Sequence, residues 1–330
     1  MIDPTLFVVI VVILAWVYNF YNGMNDAANA IATTVSTRAL TPKQAIVLAR
    51  TLNVAGAFAT TAVAKTIGKG IVTPDSINQL VIISALVGAS VWSAFCTRYG
   101  IPISITHGLI GGLIGAAIYA KGVGVIQMAG VSKVFWAMII SPLAGFVAGF
   151  VLMVIIYWIF RKTTPAKVNK GFKMGQVVST IFMSFSHGSN DTQNAMGIIT
   201  AALVVGGFID SFHVPIWVIL GSAFFMGLGT SVGGWRVIKT LGMRMVKVRP
   251  VHGFTAEWSA AAVIMGATLL GAPISTTHVV STSIMGVGAT RRFSAVRWGI
   301  AGNIVATWIF TFPGAAFISV ATYFILDIFI

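Results

Sequence analysis

The sequence predicts an all-α polytopic membrane protein built from two inverted-topology repeats, with broken helices and re-entrant hairpins. Four observations lead there. The 330 residues are 57% hydrophobic and only 8% charged, which is too apolar for a soluble fold. Apolar stretches recur from end to end, many approaching the ~20 helical residues that cross ~30 Å of hydrocarbon. Two motifs then occur twice, in the same order. "GMNDAANA" at Gly23–Ala30 agrees with "GSNDTQNA" at Gly188–Ala195 at five of eight positions, and "PISITH" at Pro102–His107 with "PISTTH" at Pro273–His278 at five of six. Two such matches at nearly equal offsets indicate a duplication. Finally, the net charge of +14 is gathered between apolar stretches, where positive-inside topology places Lys and Arg.

The elements follow in order. The first apolar stretch, Leu6 to Val17, follows Asp3 with no Lys or Arg before it, so it reads as a membrane helix rather than a cleavable signal. Three basic clusters go to the cytoplasm: Arg161, Lys162, Lys167, Lys170 and Lys173; Arg236, Lys239, Arg244, Lys247 and Arg249; and Arg291, Arg292 and Arg297. The loop from Phe208 to Pro215 carries Asp210 and no Lys or Arg, which puts it outside. Counting back through the spans places 121–133 and 65–74 outside, 38–43 inside and the N-terminus outside. Lys65, Lys69, Lys121 and Lys133 fall on the outer side, but most Lys and Arg remain within. The first Asn-Asp motif thus runs inward and the second outward, so the halves are inverted. Residues 1–160 form the first repeat, 161–173 a basic cytoplasmic linker, and 174–330 the second repeat, all in one integral membrane unit.

Each Pro-Ile-Ser turn either joins two full spans or forms the tip of a re-entrant hairpin. Ser275 to Ala289 is 15 residues, only ~22 Å of helix, and hairpins are the reading adopted. One enters from outside over Pro74 to Tyr119 and the other from inside over His252 to Ala289, with polar tips meeting near the midplane. Non-helical backbone is tolerated at that depth only inside protein or beside water. Gly23 and Gly188, just before the Asn-Asp pairs, are expected to permit a helix break there. Inverted repeats with broken helices are the architecture of secondary transporters, whose sites lie between the halves.

The chain has seven acidic residues, and intramembrane carboxylates are costly enough to mark function. Asp26 and Asp191 occupy matched positions. With the amide oxygens of Asn25, Asn29, Asn190 and Asn194 they form a hard oxygen set suited to a small cation such as sodium, unless a carboxylate carries a proton instead. The tips supply the complement. Ser104, Thr106, Ser275, Thr276 and Thr277 are hydroxyl donors beside helix N-termini, a combination that suits an oxyanion. A cation and an anion would share one site. His107 and His278 either join it or hold backbone at the tips, and His187 is read as structural. No aromatic-basic groove accompanies the charge clusters, so no nucleic-acid partner is expected. Cys96 is the only cysteine, which excludes an intrachain disulfide and a thiolate metal cluster. No Ser/His/Asp set or HExxH appears, which leaves an intramembrane hydrolase as a remote alternative.

The paired motifs, with "SHGSNDTQNA" and "GTSVGGWRVIKTLG", resemble the signatures of the inorganic phosphate transporter (PiT) family over essentially the whole chain. The resemblance implies cation-coupled phosphate import by alternating access with an elevator-like movement, in a homodimer of the inner (plasma) membrane, with no organic cofactor. Sodium is the expected coupling ion; sulfate as substrate and protons as driving ion are the alternatives. Phosphate is assigned to Ser104, Thr106, Ser275, Thr276, Thr277, Asn25, Asn190 and Gln193, and sodium to Asp26, Asn29, Asp191 and Asn194. "HGFTAEWSA" resembles a family stretch with an important Glu, which adds Glu257 to the sodium set. Where many members have a Glu before a Gly-Ala pair, this chain has Asn53 in "LNVAGA".

Overall fold

Helices carrying apolar residues on every face have no solvent side, and the architecture follows from that. The computed structural model describes residues 3–72 and 78–329, which form twelve α-helices and no extended strand. The first half contains α1 (Pro4–Ser36), α2 (Pro42–Gly56), α3 (Ala62–Lys69), α4 (Gln79–Tyr99), α5 (Ile105–Lys121) and α6 (Met128–Ile159). The second contains α7 (Pro165–Val205), α8 (Ile216–Val232), α9 (Trp235–Lys239), α10 (Pro250–Leu269), α11 (Thr276–Ala289) and α12 (Trp298–Phe329). The two lists correspond element by element. A single 3-10 turn precedes both α6 and α12, at Val123–Val125 and Phe293–Ala295. An isolated antiparallel bridge closes each half, Val72 to Ile126 and Val246 to Val296. Even the prolines inside the last helices, Pro142 and Pro313, correspond.

Four helices, α1, α4, α6 and α12, are long and apolar enough to cross a membrane; α8 and the segment Trp235–Arg244, bent by 62° at the Gly233–Gly234 break, make up to five. The basic stretch 161–173 is mostly helical, since the turn after α6 gives way to α7 at Pro165. The first predicted hairpin begins at Pro74, which lies outside the described residues. Its arm α4 is of full-span length, whereas α5 at 17 residues and α11 at 14 reach only ~26 and ~21 Å. The chain leaves helix at both Pro-Ile-Ser turns, between α4 and α5 and between α10 and α11. Each hairpin is gripped by the other half: α5 packs on α12 and α11 on α6.

The expected breaks at Gly23 and Gly188 do not occur. Both α1 and α7 run unbroken through their Asn-Asp motifs. The glycines serve close approach instead. A Cβ at Gly23 would strike the carbonyl oxygen of Met226 on α8, and one at Gly188 the backbone of Asn53 on α2. Helices that associate within lipid gain mainly from tight packing, which small residues permit. The motif helix of each half is thereby locked to the second helix of the other.

The apolar interior is divided in two. One cluster takes Phe7 to Tyr18 of α1 and Ala195 to Leu203 of α7; the other takes Ala28 to Ala32 of α1 and Met183 of α7. Between them both helices turn polar, with Asn19, Asn22, Asn25 and Asp26 on one and Ser184 to Asn194 on the other, all buried. That layer positions the site. Valine at Gly188 meets backbone that cannot move aside and should destabilise the fold by ~1–3 kcal/mol. Valine at Gly171, where a Cβ would meet nothing within 4 Å, should leave the detergent melting temperature near wild type. Equal melting of the two variants would refute the close-approach role.

Candidate functional site

Spacing decides which polar groups of the motif helices can meet. Positions three and four apart share a helix face, so Asn22, Asn25, Asp26 and Asn29 line one face of α1. His187, Asn190, Asp191 and Asn194 line one face of α7. The two faces oppose each other. Ligand atoms of Asp26, His187 and Asp191 lie within 4.8 Å of one another, all buried. His187 Nε2 is 3.3 Å from Asp191 Oδ2, while Asn53 Oδ1 lies 3.0 Å from its Nδ1.

The second tip closes on the carboxylates. Thr276 donates its hydroxyl to Asp191 Oδ2 at 2.9 Å, and Thr277 donates to Asp26 Oδ1 at 3.1 Å. Asn29 donates to both threonines, at 3.1 and 2.9 Å. From the first tip, Thr106 accepts from Asn194 at 2.8 Å. Ser104 and Ser275 cap the helices behind the tips, accepting from the backbone N–H of His107 at 3.1 Å and of His278 at 3.2 Å. The capping contact uses a lone pair, and the hydroxyl proton stays available. The tips abut, with the rings of His107 and His278 5.0 Å apart. On α12, Phe312 stacks on His107 and Trp308 on His278.

The amides are all turned the same way. Asn25 and Asn190 donate to Thr97 and Thr268, both at 2.8 Å, and Asn22 to the Asp191 carbonyl at 3.3 Å. With every Nδ2 of the set engaged, the Oδ1 atoms of Asn22, Asn25, Asn29, Asn190 and Asn194 accept no hydrogen bond from the protein, nor does Asp191 Oδ1. Buried acceptors without donors are costly. A group of them beside two like-charged carboxylates has the hard oxygen donors that could hold a cation.

These features sit in a recognisable sequence. The model of the phosphate transporter family matches residues 22–167 and 160–319. The chain belongs to that family. It is 46% identical over 322 residues to a probable low-affinity inorganic phosphate transporter of Bacillus subtilis (strain 168), covering 97% of each chain. It is 44% identical over 317 residues to one of Rhizobium meliloti (strain 1021), covering 96% of this chain and 95% of that one. Among solved structures it resembles one described as the sodium-dependent phosphate transporter, with a TM-score of 0.92 and 28% identity over 98% of this chain and 100% of that one. The family is one of multi-pass plasma-membrane transporters, not of enzymes, as the motifs imply.

Within this family member, three expectations from the motifs need correction. Gln193 does not reach the site: its Oε1 accepts from the N–H groups of Val63 and Ala64 at 2.8 and 3.0 Å, and its Nε2 donates to the Ser189 carbonyl at 2.5 Å. It caps α3, whose N-cap Thr61 makes no side-chain cap of its own. Thr276 and Thr277 give their protons to carboxylates rather than standing free for an anion, because a carboxylate is the stronger acceptor. His187, read as structural, stands among the carboxylates; its four-residue spacing from Asp191 was the available signal. Tyr18 and Asn22 also border the site, Tyr18 donating to the Ile105 carbonyl at 3.3 Å, and no motif marked them.

Glu257 stands apart. It is buried where α10 meets the end of α1 and the start of α7, not facing headgroups. It accepts hydrogen bonds from Thr33 and Ser179, from Thr34 at 2.7 Å, and from Gln176 and Thr180 at 3.1 Å. Thr33 lies two helical turns past Asp26, about 10 Å along α1.

Asn25–Thr97 and Asn190–Thr268 are equivalent bonds of equal length. Double-mutant cycles with Asn→Ala and Thr→Val should return about 0.5–1.5 kcal/mol of coupling for each, read by unfolding in detergent. Coupling in only one of them would mean that the two motif helices are not held alike.

Proposed function

We propose that this protein imports inorganic phosphate coupled to sodium by alternating access, as an inverted-repeat symporter with boundaries near 1–160 and 174–330. The observation that carries the reading is the set of six buried side-chain oxygens, five from amides and one from Asp191, that accept no hydrogen bond from the protein. Hard oxygen ligands of this kind suit sodium, held by Asp26, Asn29, Asp191 and Asn194. Glu257, with its shell of hydroxyls, is a second oxygen-rich position nearer the cytoplasm.

The anion sits against the tips, on the hydroxyls of Ser104, Thr106 and Ser275 and on the helix N-termini behind them, with Asn25 and Asn190 at its flanks. Asp191 Oδ1 favours phosphate over sulfate, since phosphate retains a proton to donate near neutral pH and sulfate has none. Sodium between the carboxylates cancels the charge that would repel the anion, so neither binds well alone. A homodimer moving its hairpins in an elevator-like stroke fits hairpins that are gripped across the two halves. Sodium dependence in the structural relative's description and phosphate in the names of the relatives support the assignment.

Asp26→Asn and Asp191→Asn should each abolish sodium-driven phosphate uptake in proteoliposomes while the protein still folds. Uptake that survives in either variant removes that carboxylate from the mechanism. With imposed gradients tested separately, a proton gradient that drives uptake as well as sodium would displace sodium as the coupling ion.

Ser104→Ala and Ser275→Ala should each weaken phosphate binding by about one to two decades, at ~1.5–3 kcal/mol per hydrogen bond to a charged group. Unchanged affinity in Ser275→Ala would sink the two-tip clasp.

A further inference from the structure

At the cytoplasmic foot of the second hairpin lies a different kind of unmatched charge. The turn after α6, the start of α7, the first turn of α10 and Arg291 in the loop before α12 enclose a cavity of about 210 Å³. Arg161, Arg249 and Arg291 line it, and no acidic side chain does. Among the described residues no carboxylate pairs with these three guanidinium groups. Arg161 lies over the Trp158 ring, 4.7 Å from its centroid. Arg249 and Arg291 both act electrostatically on the buried His252, whose nitrogens are occupied by the Arg249 N–H at 3.1 Å and the Tyr157 hydroxyl at 3.1 Å. Helices of 41 and 20 residues, α7 and α10, begin at the cavity wall, and their free N–H groups and dipoles add to the positive potential.

We propose that this cavity binds the phosphate of an anionic phospholipid headgroup. Three uncompensated guanidinium groups around one small space call for an oxyanion, which Arg binds in a fork geometry. Its level in the molecule selects the source. Tyr157 and Trp158 close the apolar span of α6 and are exposed, as aromatic rings are at the membrane–water interface. Basic pockets between membrane helices on the cytoplasmic side accept headgroups at that depth. Ile156, Val168 and Val251 complete the wall and suit the glycerol end of a lipid. Free phosphate offers the same oxygens without that apolar part. The lipid would bridge the α6–α7 turn to the foot of α10; none of the residues lining the cavity belongs to the proposed transport site, so its binding does not depend on the transport assignment.

The test uses the full chain taken from vesicles of equal phosphatidylglycerol and phosphatidylcholine, with retained lipid counted by native mass spectrometry. Wild type should retain phosphatidylglycerol in preference to phosphatidylcholine. Arg161→Gln with Arg291→Gln should reduce that retention about tenfold, the loss of two solvent-exposed ion pairs, and Arg161→Gln alone should reduce it in part. Lys170→Gln removes the same charge from an exposed position outside the cavity and should retain the wild-type level. Inorganic phosphate binding, measured by equilibrium dialysis, should be the same in wild type and the double variant. Unchanged phosphatidylglycerol retention in the double variant overturns the proposal. So does a loss of phosphate binding there, which would make free phosphate the ligand. Ser104→Ala lies outside the cavity and should leave lipid retention intact whatever it does to transport.

Discussion

Two buried carboxylates held close together set the terms for the rest of the molecule. With ligand atoms of Asp26 and Asp191 inside 4.8 Å, their mutual repulsion is at least about 3 kcal/mol even at an effective dielectric of ~20. Desolvation adds several kcal/mol for each ion. The hydroxyls of Thr276 and Thr277 return ~1.5–3 kcal/mol apiece, which offsets the repulsion but not the desolvation. The remainder must come from a positive charge or a proton between them. An arrangement that is costly alone and favourable with a cation is what ties one cargo to another. The unpaired amide oxygens around the pair supply further ligands, and the polar layer exists because two apolar clusters leave room for it.

Much of this was readable before any coordinates. The duplication is legible in sequence because the two copies place the same residue types, Asp26 and Asp191 among them, at matched positions. The meeting of the tips follows from Pro-Ile-Ser turns preceding helices. The errors have a common physical origin. Gly23 and Gly188 are compatible with a helix break or with close approach, and only a neighbouring backbone decides which. No neighbour is visible in a single chain. Gln193 was grouped with Asn190 and Asn194 by proximity, yet at 100° per residue it points some 200° away from Asp191. The same arithmetic brings His187 onto the Asp191 face. Helical phase, already present in the sequence, separates ligand from cap better than nearness does.

Where the duplication is imperfect is as informative as where it holds. In the tip motifs five of six positions agree, and the odd one pairs Ile105 with Thr276. Thr276 is the residue that reaches Asp191, whereas Ile105 offers only its backbone carbonyl, to Tyr18. Both carboxylates therefore lean on the second tip, and the first tip touches the set only through Thr106 and Asn194. The asymmetry gives the tips different tasks. Displacing the second tip strips a hydroxyl from each carboxylate at once. Displacing the first costs two neutral hydrogen bonds, Asn194 to Thr106 and Tyr18 to Ile105, each worth ~0.5–1.5 kcal/mol. The energetic bias is large enough to make the first tip the easier one to release. Part of the imbalance comes from Thr276 standing where the first tip has Ile105; the rest comes from the matched threonines, since Thr277 donates to Asp26 whereas Thr106 only accepts from Asn194.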